Sequence, residues 1–214
     1  MLRKHLRYFS DGAFSSRHLN LLNLHIGLVN FGQILRLSVS AVFFLTLGMS
    51  LAATCLAMGA LIGLRWVLRT PLILIPHRYG SKPALVIGQI MLALAFCLYG
   101  VIDHNGPLLW ATLVLMAGGE ALYWHAVHTT FATLSEHGKF GRQLAARGIF
   151  MSVGAILAHL ATGSLQTNLG WAALFILTAL TLFCSLLPLF FMPEPCPPKP
   201  MHWGKGFHIS KKGM

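Results

Sequence analysis

Residues 169–192 read LGWAALFILTALTLFCSLLPLFFM and contain no charged side chain. The hydrocarbon core of a bilayer is about 30 Å thick, and roughly 20 apolar residues in an α-helix cross it. Lipid offers the backbone no hydrogen-bond partners, so a stretch of this length in a membrane must be helical. This run therefore predicts a membrane-spanning helix.

Five further apolar stretches precede it in the chain. The whole sequence is 56% hydrophobic and only 10% charged, against about 25% charged residues in an average soluble domain. We therefore predict an all-α, polytopic membrane protein with a basic arm (1–19), a six-helix transmembrane domain (20–192) and a Pro- and Lys-rich tail (193–214). The six predicted spans are 20–46, 49–75, 83–102, 107–134, 145–166 and 169–192.

Basic residues are confined to alternate connections between these stretches. The connections near residues 48–50, 103–107 and 166–168 contain no Lys or Arg. This asymmetry is the positive-inside pattern, and it predicts a multi-pass protein of the cell (inner) membrane with both termini in the cytoplasm. The net charge of +11 then lies on one membrane face near anionic headgroups and does not indicate nucleic acid. The basic residues of these connections and of the two terminal segments are Arg3, Lys4, Arg7, Arg17, Arg78, Lys82, Lys139, Arg142, Arg147, Lys199, Lys205, Lys211 and Lys212.

The segment 69–88, RTPLILIPHRYGSKPALVIG, lies between the second and third predicted spans. It resembles the loop at this place in major facilitator superfamily transporters, and Arg78, Gly80 and Lys82 match that family's motif. Gly80 allows a tight turn, while Arg78 and Lys82 favour a cytoplasmic loop, with a role in gating. Three positions depart from the motif, namely Ile73, His77 and Ser81.

The resemblance implies a fold, a function and a partner. It covers one six-helix half of the usual twelve-helix protein, in which solute lies near the bilayer midplane between two halves. We therefore expect a half-size or truncated secondary transporter that moves a small polar or anionic solute, with or without a proton, by alternating access. A homodimer or a second six-helix half would complete it. The alternative is a non-transporting assembly factor, regulator or partner subunit derived from such a half.

Polar residues inside the predicted spans are the candidate binding residues. A charge at the centre of a span costs roughly 2.5–3.5 kcal/mol, so it normally faces a cavity or a partner. Arg36 on the first span and Glu120 on the fourth are therefore expected to pair or to contact solute, and Arg65 on the second span is a gating candidate. The same faces carry Asn30, Gln33, Tyr123 and His128.

Other chemistry is not indicated. No Walker loop, dinucleotide fingerprint or nucleophile elbow is present, so we predict no enzymatic activity and no cofactor. His125 points away from the line joining Glu120 and His128, so we predict no metal site. Gly59 and Gly63 have the GxxxG spacing that lets membrane helices pack closely.

Overall fold

The structure is a computed structural model that describes residues 11–193, so the predicted tail and the first ten residues lie outside the described part. The described chain is all-α, as predicted. Its helices are α1 (Arg17–Leu37), α2 (Ser40–Thr46), α3 (Leu51–Leu72), α4 (Leu74–Tyr79), α5 (Ser81–Tyr99), α6 (Pro107–Leu134), α7 (Phe140–Cys184) and α8 (Leu187–Phe190).

Helix α7 contains a chain reversal at Gly170, where φ is 79° and ψ is 179°. This backbone conformation favours glycine, which has no Cβ. The halves of α7, residues 140–169 and 171–184, run in opposite directions along α1. The pairs that show this are Asn30–Met151 and Ser38–His159 in the first half, and His25–Ser185 and Gly32–Thr178 in the second.

The position of this reversal differs from the predicted connection at 166–168. Residues 166–168 remain helical, and the Thr167 hydroxyl donates to the Gly163 carbonyl at 2.9 Å within that helix. Polarity alone therefore misplaced the turn by a few residues.

Four helical stretches are long and apolar enough to cross a membrane: Arg17–Thr46, Leu51–Tyr79, Ser81–Tyr99 and Phe140–Phe190. The last is 51 residues long and contains the reversal at Gly170. Helix α6 is 28 residues long but carries Glu120 and two histidines, and it is not among the four. The count of six crossings therefore stays a prediction.

The helices form one bundle in which α1 packs on both halves of α7, α5 packs on α6 and on the second half of α7, and α3 packs on α6. Two glycines permit the closest approaches. A Cβ on Gly154 would lie 2.5 Å from the Gly27 carbonyl oxygen, and one on Gly88 would lie 2.8 Å from the Tyr123 nitrogen.

The GxxxG pair Gly59 and Gly63 faces open space within the described chain. The expectation that this pair packs closely is therefore wrong inside this bundle. Helix α3 contacts only one neighbouring long helix, α6, extensively, so its small-residue face points outward.

Several basic connections lie at the same end of the bundle. The Ser15 hydroxyl, before α1, donates to Glu136 Oε1 at 2.7 Å in the α6–α7 connection. Lys82 Nζ, at the start of α5, donates to the Met192 carbonyl at 2.7 Å. These contacts join the start of the described chain to the α6–α7 connection, and the start of α5 to the residues that follow α8.

Candidate functional site

Glu120 on α6 is the centre of a charged cluster. Its side chain is 7% exposed, and its Oε2 lies 3.1 Å from Arg65 NH1 of α3. Its Oε1 lies 3.4 Å from Arg36 NH2 of α1. One carboxylate therefore neutralises only one of two arginines, and the cluster keeps a positive charge.

Arg36 is buried and only partly satisfied. Its guanidinium carbon lies 5.8 Å from the centre of the Phe96 ring. Its Nε and NH1 atoms have no hydrogen-bond partner among residues 11–193. Buried donors normally have one, so Arg36 has capacity for a further acceptor.

A cavity of about 250 Å³ opens beside Glu120. On the α3 side of the cavity, the guanidinium carbon of Arg69 lies 5.6 Å from the centre of the Trp66 ring. Aromatic walls with a few converging charged groups are typical of small-molecule sites. The lining residues are Arg65, Trp66, Arg69, Glu120, Ala121, Trp124 and His128.

A second hollow of about 390 Å³ adjoins the first and shares His128 with it. Arg147 of α7 lines this hollow although it is largely buried. Its guanidinium carbon lies 5.3 Å from the Phe131 ring centre and 6.0 Å from that of Trp124. Its NH1 lies 3.4 Å from His128 Nδ1. The cationic surface therefore extends from α3 across α6 to α7.

The sequence pattern places Arg147 in a basic connection. A signal for Arg147 was present, because it shares one helical face with Gly154, Ala158 and Thr162, all buried on α7. A basic residue in register with a buried stripe indicates a side chain that faces the bundle.

The predicted binding residues separate into two groups. The cavity is lined by Glu120, Arg65 and His128. Arg36 does not line it but contacts Glu120. Asn30 and Tyr123 do not line it. The Asn30 amide donates to the Met151 carbonyl at 2.7 Å.

Gln33 stands apart from both hollows described above. Its Nε2 is buried and has no hydrogen-bond partner in the part of the chain that the structure describes. Gln33 therefore has a vacant donor but no contact with the cavity lining.

Tyr123 belongs to a separate, uncharged cluster in the core. Its hydroxyl lies 3.0 Å from His25 Nε2, and His25 Nδ1 lies 2.6 Å from the Ser185 carbonyl oxygen. The Nδ1–H tautomer of His25 therefore donates to Ser185 and accepts from Tyr123. Gln89 Nε2 donates to the Ser185 hydroxyl at 2.8 Å and to the Leu182 carbonyl at 3.0 Å. This neutral cluster joins α1, α5, α6 and the segment that follows α7.

The predicted loop residues lie at the basic end of the bundle. Gly80 joins α4 to α5 with φ at 97°, as its tight turn requires. The Arg78 guanidinium carbon lies 5.5 Å from the centre of the Tyr79 ring. Lys82 Nζ donates to the Met192 carbonyl, and neither Arg78 nor Lys82 lines the cavity.

Exposed small residues continue the two edges of the cavity surface. Successive members are three, four or eleven residues apart, so each set lies on one helical face. On α3 they are Ala52, Cys55, Gly59 and Gly63, and on the first half of α7 they are Ala145, Gly148, Ser152 and Gly163.

Comparison with known proteins gave two findings. The family model described as Major Facilitator Superfamily matches residues 47–209. The dipeptide and tripeptide permease A of Proteus mirabilis is 29% identical to this chain over 109 residues. That alignment covers 50% of this chain and spans 22% of the permease.

Proposed function

This chain belongs to the major facilitator superfamily, a family of transporters and not of enzymes, and we propose that it moves a small anionic or polar solute by alternating access. The sharing of Glu120 between two arginines at a cavity wall is the observation that carries this proposal. One arginine would suffice for a structural ion pair. The second leaves a net positive charge where a solute carboxylate or phosphate would gain charge-assisted hydrogen bonds.

The cavity arginines would act together on the anionic group. Arg65 and Arg69 lie one helical turn apart on α3 and both line the cavity. Planar guanidinium groups match carboxylate geometry with two parallel hydrogen bonds. Arg147 would extend this surface toward α7.

A short peptide is the specific solute that we propose to test first. The partial similarity to a dipeptide and tripeptide permease supports it. A zwitterionic peptide would place its carboxylate at Arg65 and Arg69 and its ammonium near Glu120. The ammonium would take the place of Arg65 at Glu120 and so release Arg65 for the carboxylate. Protonation of Glu120 would weaken its hold on the ammonium, so release of the peptide would be coupled to a proton.

A second six-helix unit would close the cavity. The family binds solute between two such units related by an axis along the membrane normal. The small-residue faces of α3 and α7 border the cavity and allow close helix approach. The second unit would come from a further copy of this chain or from other sequence. We place both termini in the cytoplasm and the protein in the cell (inner) membrane, since the positive-inside pattern supports this.

Uptake into proteoliposomes tests the proposal. The full chain is reconstituted, and accumulation of dialanine, lactate and inorganic phosphate is followed with and without an imposed proton gradient. We expect uptake of at least one solute, loss of it in Glu120→Gln and Arg65→Gln, and retention in Asp103→Asn. Asp103 is a matched control because its carboxylate lies in an exposed connection.

The contrary result is equally clear. Wild-type uptake in folded Glu120→Gln and Arg65→Gln would exclude this cluster as the solute site. Absence of uptake of every solute by a protein shown to be dimeric by native mass spectrometry would favour the non-transporting alternative.

A further inference from the structure

An apolar groove runs along the outer surface between α1 and the first half of α7. Its volume is about 580 Å³, within the range of roughly 300–1,000 Å³ typical of small-molecule sites. It lies apart from the charged cavity and shares no lining residue with it. Its lining residues include Leu24, Leu28, Phe31, Val153 and Leu157.

Two glycines set the depth of this groove. Gly27 and Gly154 both line it, and a Cβ on Gly154 would lie 2.5 Å from the Gly27 carbonyl oxygen. The backbones of α1 and α7 therefore meet at the floor, while larger apolar side chains form the walls. The result is a long, narrow depression and not a flat lipid-facing surface.

The groove opens at one end into a polar mouth. This mouth is a hollow of about 500 Å³ that shares Phe14, Leu24 and Phe150 with the groove. The rings of Phe14 and Phe150 stand edge to face with centres 6.4 Å apart. The mouth adds three polar residues, namely Ser15, Arg17 and Asn20.

The polar groups of the mouth suit a phosphate-bearing headgroup. Arg17 is exposed and begins α1, where the helix dipole also favours negative charge. Asn20 Nδ2 donates to the Phe14 carbonyl at 3.0 Å. Its Oδ1 has no hydrogen-bond partner within residues 11–193, and Asn20 lines the mouth.

We propose that this groove binds an anionic glycerophospholipid, with one acyl chain between α1 and α7 and the phosphate at Arg17. The arrangement of apolar and charged groups supports this inference. The apolar groove ends in a cation at the basic end of the bundle, where lipid headgroups lie. Arg17 and the start of α1 supply the charge complementarity. The site is independent of the solute cavity, and its test does not depend on transport.

Native mass spectrometry of the full chain tests the site. The purified protein is delipidated and exposed to equal amounts of dioleoyl phosphatidylglycerol and dioleoyl phosphatidylcholine. We expect preferential retention of one phosphatidylglycerol molecule. Arg17→Gln should reduce that preference about fivefold, the effect of one basic residue at an anionic surface, whereas Arg17→Lys should retain most of it.

A tryptophan that fills the groove provides a second variant. Val153→Trp should abolish retention of the lipid, because Val153 lines the groove. Val114→Trp is the matched control, since Val114 and Val153 are 52% and 51% exposed and Val114 lies on α6. Equal retention in both tryptophan variants would overturn the proposal, as would equal binding of the two lipids by wild type.

Labelling of the unmodified protein covers the case in which a variant does not fold. Phosphatidylglycerol with a photoreactive acyl chain should label residues 24–31 and 149–157 above all other apolar surfaces. Uniform labelling of every exposed helix face would assign the lipid to the ordinary annulus and overturn the proposal.

Discussion

Two buried polar clusters within residues 11–193, the neutral one around His25 and the charged one around Glu120, differ in how their hydrogen bonds are satisfied. In the neutral cluster, both ring nitrogens of His25 have partners, and those partners belong to the same bundle. In the charged cluster, Glu120 is shared by Arg36 and Arg65, and Arg36 keeps donors without partners in the described chain. The charged cluster opens on a cavity of about 250 Å³, and no residue of the neutral cluster lines that cavity.

This difference separates a packing role from a binding role. A neutral network whose members hydrogen-bond one another fixes the relative rotation of the helices. A cluster with excess positive charge has capacity for a ligand and is costly without one. Substitutions in the two clusters should therefore affect stability and uptake differently.

The largest effect on stability is expected for Glu120→Ala. It leaves Arg36 buried without a counter-ion, so the free energy of unfolding should fall by about 3 kcal/mol. The double variant Arg36→Leu/Glu120→Leu should recover most of this loss because it removes both charges. Unfolding in detergent micelles measures both, and a double variant as unstable as the single one would contradict the ion-pair interpretation.

The next effect is expected for Tyr123→Phe. It leaves His25 Nε2 buried without a donor, so the free energy of unfolding should fall by about 1–2 kcal/mol. The solute concentration for half-maximal uptake should not change. Tyr79→Phe is the matched control, because Tyr79 is 61% exposed. A shift in that solute concentration would place Tyr123 in the binding site after all.

A smaller effect on stability is expected for Arg65→Gln. The Arg65 side chain is 39% exposed, so the loss should be within about 1 kcal/mol. Uptake should nevertheless be lost, since Arg65 lines the cavity. Parallel measurements of unfolding and uptake separate the two. A variant that keeps uptake but unfolds easily would make Arg65 a structural residue.

The smallest effect concerns Glu136, in the connection between α6 and α7. A hydrogen bond from Lys139, with a second from Ser15, holds the pKa of this carboxyl below its usual value. The folded state therefore favours the ionised form, and its contribution to stability is present above the ordinary carboxyl pKa. That contribution is lost as the pH falls through the lowered pKa.

Glu136→Gln should accordingly reduce the difference in unfolding midpoint between neutral pH and about pH 3. Lys139→Gln removes the same hydrogen bond from the other side and should act in the same direction. The effect is small because Glu136 is solvent-exposed. An unchanged pH dependence in both variants would show that other carboxyl groups control it.

Part of the site was visible in the sequence. A charged residue inside an apolar stretch is conspicuous, so Arg36, Glu120 and Arg65 were identifiable without a structure. Their convergence on one carboxylate was not, since the three residues come from three different helices. Tyr123 lies near Glu120 along α6 but contacts His25 in the neutral cluster, because the rotation of α6 is not visible in the sequence.

The sequence by itself determined the helical class and the alternation of basic and uncharged connections, because apolar length and loop charge are properties of contiguous residues. The tertiary structure decided the reversal at Gly170, the burial of Arg147, the neutral cluster around His25 and the groove between α1 and α7. Each of these depends on how helices rotate and approach one another. That is set by close contacts such as Gly27 with Gly154, between residues far apart in the chain.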